Sequence, residues 1–243
     1  DPLSGKPLVE MILDKAGQKG TGLWTAVSSL QIGCPAPTIA EAVYARAIST
    51  QKVLRQSLAT KLVGPEARGT QPAGSDEQQS FIDGLESALY CAKVSCYAQG
   101  FQLMAMQAQE LGWQLDFAAI ARIWRAGCII RARFLQSIAA AYDSEPELAN
   151  LLLADGFAST LSARQQAWRQ TVAKAVLAGV PVPCISSALS YYDSYRTETL
   201  PANLLQGQRD FFGAHSFERI DQAANERYHL DWSDPKRPLI KLD

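Results

Sequence analysis

The feature that most restricts the fold is a helix breaker that occurs twice. Gly33-Cys34-Pro35-Ala36-Pro37 and Gly179-Val180-Pro181-Val182-Pro183 each interrupt a stretch of helical periodicity. Proline removes a backbone donor and clashes with the preceding turn, while glycine readily takes the left-handed conformation that closes a helix. Each breaker therefore ends one helix and starts the next. With an offset of 146 residues, Thr25, Gly33, Pro35, Pro37, Ile39 and Ala42 match Thr171, Gly179, Pro181, Pro183, Ile185 and Ala188. Both copies read helix, Gly-x-Pro-x-Pro, helix, which predicts a duplicated helical unit.

The rest of the pattern is helical as well. Apolar spacing predicts helices over about 7–13, 25–32, 37–62, 77–111, 116–126, 130–142, 146–152, 161–178, 183–195 and 201–212. The third carries Ile39, Ala42 and Val43 on its expected core face. The segment 77–111 is crowded with alanine and includes Leu85, Leu89, Ala92, Val94, Tyr97 and Phe101. Small residues let neighbouring helices approach closely, so it is expected at the centre of the core. Residues 64–75 read as a solvated loop. No β-branched runs alternate with the helices, which argues against a doubly wound sheet. The expected fold is all-α: a large multi-helix domain with an internally duplicated helical unit and an extended C-terminal tail. Residues 1–217 form the helical body and 218–243 the tail. Beyond Ser216 the composition turns polar and irregular, yet Trp232 and Leu239-Ile240 predict a tail that wraps over its own body or a second subunit.

Composition narrows the partners. The 243 residues are long enough to bury a sizeable core, and the net charge of -1 comes without a basic run, which speaks against nucleic acid. No run of about 18 apolar residues and no secretory pattern is present, so no membrane is expected and the location is expected to be cytoplasmic. Cys34, Cys91, Cys96, Cys128 and Cys184 are odd in number and widely spaced, consistent with reduced, buried thiols. His215 and His229 stand without ligands at zinc-motif spacing, so no metal site is expected.

Two regions carry candidate chemistry. Gly17-Gln18-Lys19-Gly20-Thr21-Gly22 offers an ammonium, a hydroxyl and mobile backbone N–H groups, ahead of a helix expected to begin near Thr25. That set suits a phosphate. It is neither a Walker A loop nor a dinucleotide turn after a strand, and the motif alone favours a helix–helix connector with Thr25 helping to cap. Arg46, on an otherwise apolar helix, either snorkels to solvent or clamps an anion. Arg125 and Arg131 are expected to form internal ion pairs. The second region is Gln208-Arg209-Asp210-Phe211-Phe212-Gly213-Ala214-His215. Asp210 is expected to pair with a nearby base, and Gly213 to end a helix and let His215 turn back. Arg209 and His215 then offer a cation and an imidazole, although a histidine near a helix C-terminus is favourable on its own account. Cys128 and Cys184 have no histidine near them in sequence and read as structural. The tyrosines at 191, 192 and 195 read as packing.

These segments, with Glu41-Ala42-Val43-Tyr44-Ala45-Arg46, Tyr97-Ala98-Gln99-Gly100-Phe101 and the run from Ile123 to Arg131, stand in an order that resembles one family. That family is 6-phosphogluconate dehydrogenase, the decarboxylating enzyme of the oxidative pentose phosphate pathway, and the resemblance is to its C-terminal all-helical domain. It implies that Lys19, Thr21, Arg46 and Arg209 bind the substrate phosphate and that His215 orients the sugar acid. Arg209 and His215 would reach the active site of a partner subunit in a homodimer whose C-terminal tails cross over. The implied reaction is NADP-dependent oxidation and decarboxylation of 6-phosphogluconate to ribulose 5-phosphate and carbon dioxide. NADP would be bound mainly by a Rossmann domain outside this sequence, and the family's general base and acid would also lie outside it. No catalytic residue is therefore assigned here, and the chain alone is expected to be inactive. Leu23 stands where the family commonly has lysine. The competing class is a helical binding or assembly module that keeps the fold without chemistry.

Overall fold

Helix formation follows the breakers closely. The computed structural model describes residues 1–66, 75–125, 128 and 133–242. Among the described residues ten α-helices appear: α1 (Leu8–Met11), α2 (Thr21–Gln31), α3 (Pro37–Thr50), α4 (Lys52–Ala59), α5 (Ser75–Leu111), α6 (Phe117–Trp124), α7 (Leu135–Ser144), α8 (Asp155–Leu177), α9 (Pro183–Tyr195) and α10 (Ala202–Gly213). Most of the expected loop 64–75, the start of the helix expected at 130 and Arg131 lie outside the described residues.

The duplicated breaker is duplicated in its hydrogen bonds. Gly33 and Gly179 sit at φ of 70° and 68°, the left-handed conformation that a Cβ disfavours. The next N–H reaches back over each helix end, Cys34 to the Ser29 carbonyl at 2.8 Å and Val180 to the Ala175 carbonyl at 2.9 Å. These are the closing bonds of a Schellman-type cap. Pro37 and Pro183 then occupy the first position of α3 and α9, where a missing N–H costs nothing. The ends match too: Gln51 N–H bonds Ile48, and Thr197 N–H bonds Ser194.

Helix α5, about 55 Å long at the usual rise, forms the centre of the core. Ala88, Cys91, Ala92, Val94, Ala98 and Phe101 are buried along it, against α8 and the single 3₁₀ turn Leu151–Leu153. Phe101, Tyr142 and Phe117 stack and tilt against one another at centroid distances of 5.2–5.9 Å. Leu85 and Leu89, expected in the core, are instead exposed in this chain. The first turn of α3 docks on α5 through Gln99, whose side chain accepts from Thr38 N–H at 3.0 Å and donates to the Thr38 hydroxyl at 2.9 Å. This buried amide satisfies a helix N-terminal donor that has no partner in its own helix.

Several boundaries differ from expectation. Helix α2 begins at Thr21 rather than near Thr25, because Gly20 takes a φ of 104° and no breaker follows it. Thr25 therefore does not cap the helix; its hydroxyl donates to the Thr21 carbonyl. The single helix expected over 37–62 breaks at Gln51, where ψ swings to 47°. The helix expected at 146–152 is replaced by the 3₁₀ turn, with Asn150 accepting from Leu152 N–H at 2.9 Å. The tail is not irregular: β1 (Phe217–Glu218), β2 (Arg227–Leu230) and β3 (Leu239–Leu242) form an antiparallel sheet in that order. Its register pairs Phe217 with Tyr228 and His229 with Ile240.

The chain divides into two units, Asp1–Tyr192 and Asp193–Asp243. The first holds the hydrophobic core just described. The second holds α10 and the sheet, with α10 packed on β1 and β2.

Candidate functional site

In the first unit, the glycine loop is pinned at its start and open at its end. The Asp14 carboxylate accepts from Lys52 Nζ at 2.6 Å and from Arg55 Nη1 at 2.9 Å, while Arg55 Nη2 reaches the Asp14 and Ser49 carbonyls. The Lys52 and Arg55 hydrogen bonds hold the Asp14 carboxyl down to about 2. Ala16 N–H donates to the Ser49 hydroxyl at 2.9 Å, and that hydroxyl donates in turn to the Arg46 carbonyl at 2.7 Å. The loop before Lys19 is thus tied to the turn of α3 that carries Arg46.

Beyond the tie, Gly20 leads into α2 with no side chain capping the helix. The N–H groups of its first turn therefore remain available, at the positive end of the helix dipole. A Cβ on Gly22 would stand 3.4 Å from Val43 Cγ2, so the first turn of α2 lies against α3 one helical turn ahead of Arg46. Lys19, Thr21 and Arg46 are all exposed. Among the described residues none of their side chains has a hydrogen-bond or ion-pair partner. An ammonium, a hydroxyl, a guanidinium and open N–H groups can together hold an oxyanion.

In the second unit the arrangement is inverted. Helix α10 turns its apolar residues outward: Leu204, Leu205, Phe211 and Phe212 are between 61% and 75% exposed. Its inward face is Gln206, Gly207 and Asp210. Asp210 is fully buried. Its Oδ1 accepts from Ser216 N–H at 3.0 Å and bonds His229 Nδ1 at 2.8 Å. Its Oδ2 accepts from Leu230 N–H at 3.1 Å and Trp232 Nε1 at 2.9 Å. Burial pushes the carboxyl up, but the His229 bond and the three N–H donors outweigh it and hold Asp210 below the ordinary carboxylate range. An ionised carboxylate only accepts, which places the proton on His229 Nδ1.

Arg209 directly precedes Asp210 in the chain, and His215 directly precedes Ser216, whose N–H Asp210 holds. Arg209 Nη1 donates to Gln206 Oε1 at 3.1 Å, one turn back on α10. Helix α10 ends at Gly213, and the turn that follows carries positive φ at Ala214 and Ser216, 49° and 59°. The His215 ring folds back over Gly213: a Cβ there would lie 2.6 Å from its Nε2, so only glycine admits this placement. The ring meets Phe212 edge-on at 6.1 Å. Arg209 and His215 line one cavity of about 810 Å³ together with Asn203, Gln206, Arg227 and Trp232.

Lys19, Thr21 and Arg46 thus belong to the first unit and Arg209 and His215 to the second. The base expected for Asp210 is His229, nineteen residues on. Arg125 has no ion pair among the described residues; Arg122 pairs with Asp143 instead. Asp14, Ser49 and Arg55 were not singled out in sequence, although an aspartate just ahead of a Gly-Gln-Lys-Gly loop is a fair anchor signal. The cysteines are unpaired. Burial pushes the thiols of Cys91 and Cys96 up to about 11, which suits packing rather than nucleophilic attack. Among the described residues no group of three or more metal-ligating side chains is gathered, and no helix is long and apolar enough to cross a membrane.

The described residues thus form a helical body with an exposed Lys19-Gly20-Thr21 loop, and a second unit in which a helix and a short antiparallel sheet present Arg209 and His215. The family model for 6-phosphogluconate dehydrogenase, C-terminal domain, matches residues 1–232. The chain belongs to the 6-phosphogluconate dehydrogenase family. It is 49% identical over 239 residues to the decarboxylating 6-phosphogluconate dehydrogenase of Candida albicans, covering 96% of this chain and 46% of that protein. It is 50% identical over 232 residues to the NADP(+)-dependent, decarboxylating enzyme of Bacillus subtilis, covering 96% and 48%. Its structure is similar to Plasmodium falciparum 6-phosphogluconate dehydrogenase, solved in its apo form and in complex with NADP+ and with 6-phosphogluconate. That match has a TM-score of 0.88 and 38% identity and covers 96% of this chain and 49% of that one. The chain spans about half the length of the relatives it matches.

Proposed function

We propose that this chain is the substrate-binding and dimerisation part of an NADP-dependent, cytoplasmic oxidoreductase that oxidatively decarboxylates 6-phosphogluconate to ribulose 5-phosphate and carbon dioxide. The observation that carries the reading is the uncapped start of α2, flanked by Lys19 and Thr21 and packed against the helix of Arg46. A phosphate there would receive N–H donors, a hydroxyl and two cations. Arg209 adds a third cation and His215 orients the sugar acid, both supplied by a partner subunit. These groups supply binding energy, not proton transfer. NADP does not fit this chain by itself: its described strands are all antiparallel and short, and a dinucleotide crevice requires parallel strands alternating with helices. The cofactor therefore belongs mainly to residues outside the chain, and the chain alone is expected to show no turnover.

Dimerisation is supported by surface that this chain leaves uncovered. Residues 218–243 are read as a tail that packs on the partner, with Leu239, Ile240 and Leu242 exposed along β3 and Ile220 fully so. The outward apolar face of α10 continues that pattern.

Calorimetric titration of 6-phosphogluconate into the chain and into a Lys19→Ala/Arg46→Ala variant tests the assignment. Loss of two phosphate contacts is expected to weaken binding by about 100-fold or more. Equal affinity in both proteins would sink it.

A further inference from the structure

We propose that Asp210 is a positioning residue that sets where Arg209 and His215 stand, and acts on ligand binding through them. The inference rests on the reading that those two residues contact the sugar phosphate. Three parts of the second unit must agree for the cavity to exist: α10, which carries Arg209; the turn at 214–216, which carries His215; and strand β2, which carries His229 and Leu230. Asp210 joins all three. It sits next to Arg209, holds the N–H of the residue after His215, and takes the Nδ1 of His229, the N–H of Leu230 and the indole N–H of Trp232.

Apart from that carboxylate, the turn is tied at its start by Ala214 N–H donating to the Asp210 backbone carbonyl at 3.0 Å. Ala214 and Ser216 both adopt the left-handed region that residues with a Cβ avoid. The neighbouring tie is Gln206 Nε2 donating to the Ser216 carbonyl at 2.5 Å. With Gln206 also accepting from Arg209, the N–H and the carbonyl of Ser216 are both linked to the α10 face that orients the guanidinium.

Asp210 acts through other residues because its own capacity is used. Each carboxylate oxygen already meets two donors, which fills the lone pairs available to it. Asparagine, of nearly the same shape, offers a single oxygen, and its NH2 would face two donors. Asp210→Asn is therefore expected to keep the helices and release the turn.

Only two histidines are present in the chain, so histidine labelled with carbon-13 gives two ring signals, and His215→Gln assigns them by removing one. In the wild type the edge-on Phe212 ring, 6.1 Å away, is expected to displace the His215 signal. In Asp210→Asn this displacement is expected to collapse and 6-phosphogluconate affinity to fall about tenfold or more. Added to Arg209→Ala/His215→Ala, Asp210→Asn should cost under about twofold, because both groups it places are gone. A residue that merely stabilised the fold would lower the thermal midpoint while leaving the His215 signal and the affinity of the folded molecules unchanged; that result overturns the proposal. Should Asp210→Asn fail to fold, His229→Gln decides the matter, since it removes one of four donors and does not line the cavity. A shifted His215 signal there supports positioning, and an unmoved one overturns it. If the signal moves but the wild-type chain binds no 6-phosphogluconate, the functional reading falls and the positional one stands.

Discussion

Asp14 keeps 52% of its side chain in solvent and meets Lys52 and Arg55 at the surface, whereas Asp210 is fully buried and meets four donors. Each holds one part of the proposed site, and both carboxyls lie below their ordinary range. The resemblance ends there. A surface ion pair forms in high dielectric, is screened by salt and adds little net stability. A buried carboxylate cannot trade its partners for water, so losing it strands every donor that faced it. The Lys19 loop is therefore tethered and adaptable, while the His215 turn is fixed.

The largest expected effect comes from removing the buried partner. Asp210→Ala should cost about 3–5 kcal/mol of stability in the second unit, read as lost hydrogen-exchange protection at Ser216 and Leu230 with α5 and α8 protected as before. Protection persisting at both amides would break the contrast.

Acidification should act in the same direction. An unfolded aspartate binds its proton near pH 3.9 and the folded Asp210 binds it lower, so unfolding takes up a proton in that range. The stability that Asp210 contributes is full above about pH 4 and is lost as pH falls through its folded value. Asp14 should follow the same course, ending near its own value of about 2. Exchange at Leu230 and Ala16 between pH 5 and 2.5 is expected to rise at both, with unfolding of the second unit accompanying only the first. A Leu230 amide most protected at the acid end would reverse the sign and refute the linkage.

Gly213→Ala should be gentler on the fold and sharp on the site. The new methyl must displace the His215 ring, a movable and exposed group, so the stability cost is expected to stay near 1 kcal/mol while 6-phosphogluconate binding drops about tenfold. Asp14→Asn stands at the small end. Its thermal midpoint should remain within about 2 °C of wild type, with faster exchange confined to Ala16 and its neighbours. A large drop would show that the surface clamp is more than a tether.

How much of this was legible in the sequence depended on where apolar residues point. The helices and their Gly-x-Pro-x-Pro breaks could be read because each breaker acts locally, through φ and a missing N–H. Gln51 could not be read as a break, since nothing in its chemistry interrupts a helix. The strands escaped because Leu239, Ile240 and Leu242 are all exposed in this chain and show no alternation of burial. Asp210 was visible only as a residue in want of a base. Phe211 and Phe212 beside it suggest an inward apolar face, yet α10 turns them outward and buries the aspartate. Lys19, Thr21, Arg46, Arg209 and His215 were nameable as a set through family resemblance, but the groups that hold them were not. Hydrogen bonds spanning six to forty-one residues leave no local pattern.

The matched breakers have one more consequence. The offset that aligns Gly33 with Gly179 also aligns Arg46 with Tyr192. Tyr192 packs against the core and tilts over Trp168 at 5.9 Å, while Arg46 is open to solvent. The same position in two matched hairpins thus carries packing in one copy and an exposed cation in the other.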